Sequence, residues 1–547
     1  MTLSVAMHAQ SDKRDAVVNI ENGYTPEEIP VGKLDIDLPS KNRDISIQQS
    51  EAEFSKVGIL YTGFTSERDI KNVLPKRDEL FPGYARIGYG VTNDIDAKVA
   101  YRLDLDKYGI LDAYTTFDGF KCNVGGLFNK WNSRFFNNET GVGYKYDFSL
   151  LSINADAKFS NNVFNYQNTD SESPFTNKQN SRNYLVSIGG TSNLAGPFSY
   201  KFNGDYEYIA RSYAVGQKNG IGENRFGIGG SMGYDIYSKW VSTANLDLRL
   251  DAFIYDRTLR KEFKGYGNYF SIDFDPSVTL NFSDWEVNVG FNMNFVTKGA
   301  MVCAIAPNIS TVKNFNKYIT AYGSITGGRE NNSLAKLEKL SPYWGLVDYT
   351  SARLKPTYKI VDLNLGSRVA LKGISADVHT GYAYTKDDLL QEVVPQTVKD
   401  FSLIYSNFGQ GNTHNVHVAA RVGYNFRSWV KVSADARYDF WHCKNKELLV
   451  MKPMVTTNIN AEGKIDIISN IEYITVQLGY NYTHYTKGGE RGRISDKHDL
   501  YARVNCQITE RFGAYIQGNN LTNDKHFEYA GYMARGIRGE LGATVNF

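Results

Sequence analysis

Gly536-Ile-Arg-Gly-Glu-Leu-Gly-Ala-Thr-Val-Asn-Phe547 alternates with a period of two. Ile537, Gly539, Leu541, Ala543, Val545 and Phe547 are apolar or small, whereas Arg538, Glu540, Thr544 and Asn546 between them are polar. A period of two belongs to a strand with unlike faces. In a water-soluble sheet the apolar face would meet a core. In an outer-membrane barrel it meets lipid, the polar face lines the lumen, and the last strand pairs with the first so that no edge is left open. Leu541, Val545 and Phe547 then form an outward apolar terminus, read as the insertion signal for the barrel-assembly machinery.

The same pattern recurs upstream. Ala244, Leu246, Leu248, Leu250, Ala252 and Ile254 share one face, with Asn245, Asp247, Arg249 and Asp251 on the other. Val416, Val418, Ala420, Val422, Tyr424 and Phe426 stand opposite Asn415, His417, Arg421 and Asn425, and residues 430–440 repeat the arrangement. Further runs lie at 97–106, 471–482 and 500–508. Each is about the ~9 to 11 residues that a tilted strand needs to cross a bilayer. A soluble β-sandwich would alternate too, but two features favour the membrane. The polar face carries full charges of both signs, as a wet lumen allows. Aromatic pairs such as Tyr206 with Tyr208 and Tyr480 with Tyr482 gather at strand ends, as interfacial girdles do.

Composition agrees. The 547 residues contain 61 basic and 59 acidic side chains, which argues against a nucleic-acid partner. Tyr numbers 38, Phe 30 and Gly 49 against 13 Pro, and no composition break follows residue 80 or so. No run of ~20 apolar residues offers a transmembrane helix. A mean hydropathy of −0.41 is compatible with a barrel, because only every second strand residue touches lipid. Cys122, Cys303, Cys443 and Cys506 are scattered singly, so no disulfide framework is expected. Residues 1–9, with the apolar run Leu3 to Met7, read as the remnant of a secretory signal peptide. Residues 10–82 read as a short periplasmic or lumen-docking segment, and 83–547 as the barrel.

Connections provide a second line of argument, because bacterial barrels alternate short periplasmic turns with long external loops. Counting back from Phe547, short turns fall near 509–511, 465–470, 427–429, 372–373, 314–317, 282–284, 237–239, 194–197, 149–150 and 107–109. Longer stretches lie between them, near 524–535, 486–495, 443–453, 388–412, 328–356, 257–267, 212–222, 165–182 and 119–137. With Lys121 to Asn132 assigned to a loop, and short external connections at 92–95 and 298–300, an antiparallel up-and-down barrel of about 22 strands results. Both termini are then expected in the periplasm of a Gram-negative cell.

Gly513-Ala-Tyr-Ile-Gln-Gly-Asn-Asn-Leu-Thr-Asn523, the aromatic stretch through Tyr529 and Tyr532, and Gly539 to Phe547 resemble the C-terminus of TonB-dependent outer-membrane receptors. The resemblance implies a barrel that binds or passes a solute, with outer loops recognising it. Those receptors carry a plug domain of well over a hundred residues before the barrel, and an energy-coupling protein engages a short box ahead of it. Here only about 70 residues separate the expected cleavage site from Gly83, too few for that fold, so a full plug is not expected and the coupling partner is in doubt.

No catalytic or metal motif stands out: there is no phosphate loop, no His-Glu-x-x-His and no Cys-x-x-Cys, and no enzyme or cofactor is expected. Lys98, Arg102, Asp104, Asp247, Arg249, Asp251, Asp362, Arg368, Arg421, Asp435, Arg437, Asp439, Arg503, Arg538 and Glu540 should face the lumen. They would serve either as cross-strand salt-bridge ladders or as a solute path. Tyr343, Trp344, Tyr349, Phe401, Tyr405, Tyr529 and Tyr532 are expected on outer loops. There they would either meet a ligand or partner protein or pack loop against loop. The rival reading is an accessory subunit with a closed lumen, docked to a lipoprotein or another outer-membrane complex, since an open barrel this wide would leak.

Overall fold

In the computed structural model, residues 81–547 are described, except 126–129, 169–177, 194–195, 213–219, 237, 239, 263–265, 298–302, 346–353, 372, 393–402, 405, 427–428, 467–470 and 488–493. The strands are β1 (Gly83–Gly90), β2 (Ile95–Asp104), β3 (Ile110–Val124), β4 (Trp131–Asp147), β5 (Leu151–Asn165), β6 (Gln167–Asn168), β7 (Lys178–Ser192), β8 (Phe198–Arg211) and β9 (Ile221–Asp235). They continue as β10 (Val241–Tyr255), β11 (Tyr269–Phe282), β12 (Trp285–Val296), β13 (Cys303–Asn316), β14 (Ile319–Glu330), β15 (Thr357–Leu371), β16 (Ile374–Glu392) and β17 (Leu403–Ile404). The last are β18 (Asn407–Phe426), β19 (Val430–Cys443), β20 (Pro453–Ile465), β21 (Tyr473–Tyr485), β22 (Lys497–Gln507), β23 (Phe512–Asn519), β24 (Phe527–Tyr529), β25 (Tyr532–Met533) and β26 (Arg538–Asn546). Two short helices, α1 (Arg257–Glu262) and α2 (Leu334–Leu340), lie between strands.

Twenty-two of these strands form one sheet, each antiparallel to the next in sequence, and β26 pairs with β1 to close it. Closure is complete at the seam: Gly83 N–H donates to the Phe547 carbonyl at 2.6 Å, and Phe547 N–H donates back to the Gly83 carbonyl at 3.0 Å. The sheet therefore closes without a free edge strand, which is what a bilayer demands. No described helix is long and apolar enough to cross a membrane.

The wall is inside-out relative to a soluble sheet. Leu248 and Leu250 are exposed while Arg249 and Asp251 on the same strand are buried, and on β1 Ile87 and Tyr89 are exposed while Arg86 is buried. Leu541 and Phe547 also point outward. Such an apolar exterior belongs in lipid.

Short connections gather at the end where β1 begins and β26 ends: 105–109, 148–150, 193–197, 236–240, 283–284, 317–318, 372–373, 427–429, 466–472 and 508–511. In the 372–373 turn Gly373 takes φ +74°, where a Cβ would also lie 2.7 Å from the Asn425 carbonyl, so glycine is required twice over. The opposite end carries the long connections, and here two expectations are corrected. Lys121 to Asn132 is not all loop: β3 runs to Val124 and β4 starts at Trp131, paired throughout. Likewise β16 reaches Glu392 and β18 starts at Asn407, inside the stretch expected as loop. These hairpins carry no lipid-facing alternation, yet pairing continues on backbone hydrogen bonds and ring contacts such as Phe120 on Phe135 at 6.1 Å. The connection expected at 298–300 lies outside the described residues.

Candidate functional site: lumen wall and barrel mouth

The fifteen charged residues named above lie on strands whose alternate positions are apolar. Lys98, Arg102 and Asp104 alternate with exposed Val99, Tyr101 and Leu103; Asp247, Arg249 and Asp251 alternate with Leu248 and Leu250. Asp362 and Arg368 lie opposite Leu365, Asp435, Arg437 and Asp439 opposite Tyr438 and Phe440, and Arg421 opposite Val422. Arg503 stands beside Gln517 across the β22–β23 register, and Arg538 and Glu540 alternate with Ile537 and Leu541.

These residues do not converge on one centre; they form separate pairs around the ring. Among themselves, Arg249 bonds Asp251 at 2.7 Å, Arg437 bonds Asp439 at 2.8 Å, and Arg421 bonds Asp435. Others take partners the sequence did not single out. Arg102 meets Asp112 at 2.8 Å, Asp362 meets Lys359 at 3.1 Å, Arg368 meets Asp377 at 2.8 Å, and Glu540 accepts from Tyr515 Oη at 2.7 Å. Asp104 accepts from the Asp106 N–H at 2.9 Å. Arg503 donates to Gln517 at 3.1 Å.

The densest array spans β8, β9 and β10. Asp205 takes Arg225 Nη2 on one carboxylate oxygen at 2.7 Å and Arg249 Nη2 on the other at 2.8 Å, and Arg225 also approaches Glu207 at 3.4 Å. Gly227 sits in register between Asp205 and Asp251. A Cβ there would fall 2.2 Å from Arg249 Nη2, so the missing side chain makes room for the guanidinium. All these groups are buried. Buried ion pairs repay their desolvation only with good geometry, so the array fixes the shape of the wall more than it adds stability.

At the mouth, loops from distant parts of the ring meet. Six strands, β8 to β13, separate the β5–β7 hairpin from the β14–β15 hairpin. Six more, β16 and β18 to β22, separate the latter from the β23–β26 hairpin, and β1 to β4 separate that one from β5. A ring of 22 strands, spaced about 4.8 Å apart and tilted about 40°, is roughly 40 Å across. Contacts between these hairpins therefore require the loops to reach inward over the opening.

The long β14–β15 connection makes the central tie. Ser333 caps α2, its Oγ accepting from Lys336 N–H at 3.1 Å, and the Leu334 N–H donates to the Glu223 carboxylate at 3.2 Å. Leu334, Leu337 and Leu340 of α2, with Trp344, pack into one buried cluster with Ile209, Phe253, Tyr255 and Val296 of the wall. Glu338 collects three donors: Asn162 Nδ2 at 3.0 Å, Arg211 Nη2 at 2.7 Å and Trp344 Nε1 at 2.8 Å. The Arg211 guanidinium lies 4.0 Å over the Trp344 ring, donates to Tyr166 Oη at 2.7 Å, and donates to the Trp344 and Pro342 carbonyls.

From there the tie passes to the other hairpins. Tyr343 stacks on Tyr532 and meets Phe164 edge-on at 5.4 Å. The Gln167 N–H donates to Tyr532 Oη at 3.1 Å, and β6 pairs with β17. Ser406 Oγ donates to the Ala530 carbonyl at 3.1 Å, and the Ser406 N–H to the Tyr343 carbonyl at 2.8 Å. Of the aromatics expected on outer loops, Tyr343, Trp344 and Tyr532 are buried and Tyr529 is half-buried. Tyr349, Phe401 and Tyr405 lie outside the described residues. Burial lifts the Tyr166 hydroxyl to about 12 and raises Tyr343 and Tyr532 as well. His526, buried and facing Lys497, is held down at about 4 despite its 3.0 Å contact with Asp524.

Arg211, Glu338, Tyr166 and Ser406 were not anticipated. A signal did exist for α2: Leu334, Leu337 and Leu340 recur every third residue in a chain whose period is otherwise two. Nothing local in the sequence could pair Arg211 with Glu338, 127 residues apart.

The sequence matches no protein-family model and no curated protein. Solved structures do match in three dimensions. The ferric enterobactin receptor PfeA of Pseudomonas aeruginosa is 10% identical, over 85% of this chain and 80% of that one, with a TM-score of 0.63. The iron transporter FrpB of Neisseria meningitidis is 10% identical over 86% and 83%, also at 0.63. The siderophore receptor PirA of Pseudomonas aeruginosa is 8% identical over 86% and 81%, at 0.60. One is a ferric enterobactin receptor, one an iron transporter and one a siderophore receptor, and this chain shares their barrel fold.

Proposed function

We propose that this chain is an outer-membrane barrel of the TonB-dependent-receptor type, which binds a solute at its mouth and passes it inward. The observation that carries the reading is the tie of loops across a 22-strand opening, centred on Arg211, Glu338, Trp344, Tyr343 and Tyr532. A loop assembly with its own buried core at the barrel mouth is where a solute would be recognised. The long connections then face the exterior and both termini face the periplasm. Leu541, Val545 and Phe547 are the outward signal for the assembly machinery.

The barrels it resembles are described as receptors or transporters for ferric enterobactin, iron and siderophores, so ferric chelates are the first solutes to test. Trp344 lies inside the tie and Trp131 touches Tyr532 edge-on at 5.7 Å, so bound solute should change the intrinsic fluorescence. Saturable quenching by one ferric chelate supports the reading. A panel of catecholate, hydroxamate and citrate chelates that leaves the emission unchanged would sink the ferric-chelate class.

A second reading, an accessory subunit with a closed lumen, draws support from the same tie, since buried rings at the mouth describe a shut resting state. Co-purification from native membranes separates the two. A stoichiometric partner lipoprotein favours the accessory role, and a lone barrel that binds solute excludes it.

A further inference from the structure

We infer that His379 and His417, neighbours on the polar face of the wall, form a binding site for a divalent transition-metal ion of the Zn²⁺ or Cu²⁺ kind. The site shares no residue with the loop tie at the mouth, so it goes beyond the function proposed above.

The two histidines stand on paired strands. In the β16–β18 register His379 is opposite Ala419 and His417 is opposite Gly381, so the rings occupy adjacent rows of one face. Val378, Val416 and Val418 on the other face are exposed, whereas His417 is buried. The ring centroids are 5.7 Å apart with planes at 76°. Two imidazoles that share one tetrahedral ion, each nitrogen about 2.0 to 2.1 Å from it, hold their centroids roughly 5 to 6 Å apart. Small neighbours leave room for the rings. A Cβ at Gly381 would fall 2.4 Å from His417 Cε1, and one at Gly366, in register with His379, would fall 2.8 Å from His379 Cβ.

Hydrogen bonds fix which nitrogen each ring offers. Asp377 Oδ1 lies 3.0 Å from His379 Nδ1, and Asn415 Oδ1 lies 3.3 Å from His417 Nδ1. Both oxygens accept, so each Nδ1 carries the proton and the lone pair resides on Nε2. The anchors are held in turn. Asp377 accepts from Arg368 Nε at 2.8 Å and from Tyr322 Oη at 2.8 Å, and Asn415 Nδ2 donates to Asp439 at 2.9 Å, which keeps the amide oxygen toward His417. Asp377 is on the turn side of its histidine and Asn415 on the mouth side of its own. The Nδ1 edges are therefore drawn apart, and the Nε2 edges face each other across the two rows.

Polar atoms in buried surroundings normally find a hydrogen-bond partner, yet among the described residues neither Nε2 has one. Imidazoles anchored through one nitrogen to an oxygen acceptor are how proteins present ligands to a metal. Imidazole suits Zn²⁺, Cu²⁺ and Ni²⁺, whereas Mg²⁺ and Ca²⁺ take oxygen donors. The neighbouring carboxylates are already matched, Asp377 by Arg368 and Asp439 by Arg437, so the ion is held by nitrogen donation more than by charge. Among the described residues no group of three His, Cys, Asp or Glu side chains closes a full cage. The other coordination positions go to water or to a donor on a solute, which makes the site an open, exchangeable one.

The test uses the full chain in detergent, with Cu²⁺ as the probe and its electron paramagnetic resonance as the readout. Wild type should bind a single tight equivalent whose spectrum shows coupling to imidazole nitrogens; Zn²⁺ should displace it and Ca²⁺ should not. His379→Gln and His417→Gln should each weaken binding by at least about tenfold, the least that even an outer partner of a metal ligand is worth. Both barrels should stay compact on an unheated gel. If His417→Gln fails to fold, His379→Gln alone should show that loss and the disappearance of one ring's nitrogen coupling. His414 and His442 serve as the control, since their rings are 6.0 Å apart but share a face with exposed Val416 and Phe440. Changing both to Gln should leave binding unchanged. The inference is overturned if no tight equivalent binds, if the variants at 379 and 417 keep it, or if it is lost with His414 and His442. None of these outcomes bears on solute recognition at the mouth, which fluorescence quenching tests by itself.

Discussion

Tyr343 and Tyr532 stack face to face, with ring centroids 3.7 Å apart and planes 8° from parallel, although six strands separate their hairpins around the wall. A contact of this kind couples two loops that share no backbone pairing. Its strength is measurable: stacked aromatic pairs contribute about 0.5 to 1.5 kcal/mol beyond the area they bury. A double-mutant cycle of Tyr343→Ala and Tyr532→Ala should show a coupling of that size in urea unfolding of the refolded barrel. Additive effects of the two changes would mean that the loops are held by other contacts.

Arg211 is the single residue on which most of the tie depends. Arg211→Ala removes the ion pair to Glu338 and the donors to Tyr166, Trp344 and Pro342, and leaves Glu338 buried beside Trp344. Stripping one partner from a buried pair costs about 3 to 5 kcal/mol, here concentrated in the mouth. We expect a red shift of tryptophan emission and a rise in single-channel conductance over wild type. Arg211→Lys should rescue little, because a lysine cannot lie flat on Trp344 while serving several acceptors.

Gly227→Ala tests the lumen array. The added Cβ would crowd Arg249 Nη2 at 2.2 Å and Asp205 at 2.7 Å, whereas at Gly204 the nearest atom is 3.7 Å away. Overpacking of this sort costs about 1 to 3 kcal/mol, so Gly227→Ala should lower the urea midpoint while Gly204→Ala stays near wild type. Equal effects at both sites would refute the spacing argument.

The mouth should loosen in acid. His526 is held at about 4 in the folded chain by burial and by Lys497, against about 6.5 when unfolded. Between those values the unfolded chain binds more protons, so the stability contributed by neutral His526 is complete above about pH 6.5 and declines as pH falls toward 4. The protection of residues 520–535, taken relative to the intrinsic exchange rate at each pH, should fall over that window, and His526→Gln should flatten the dependence. Protection that is constant with pH in the wild type would count against this account.

The strands were legible because each carries its own test: lipid on one side and water on the other impose a period of two that a short window displays, and Gly536 to Phe547 is a complete example. Turn parity was legible for the same reason, since strand ends at the bilayer surface. Legibility fails above the membrane. Lys121 to Val124 and Leu389 to Glu392 are strands whose two faces both meet protein or water, so they carry no alternation to read.

What the sequence determined alone is thus the wall: about 22 strands, their closure and their two unlike faces, because each strand answers to a uniform external medium. What only the tertiary structure decided is the mouth. The sequence left open whether Tyr343, Trp344 and Tyr532 meet a ligand or pack loop against loop, and they are buried because Arg211, Tyr166 and Ser406 arrive from hairpins far away in the chain. Such contacts are set by where the closed ring places its loops, and no window of sequence contains that distance.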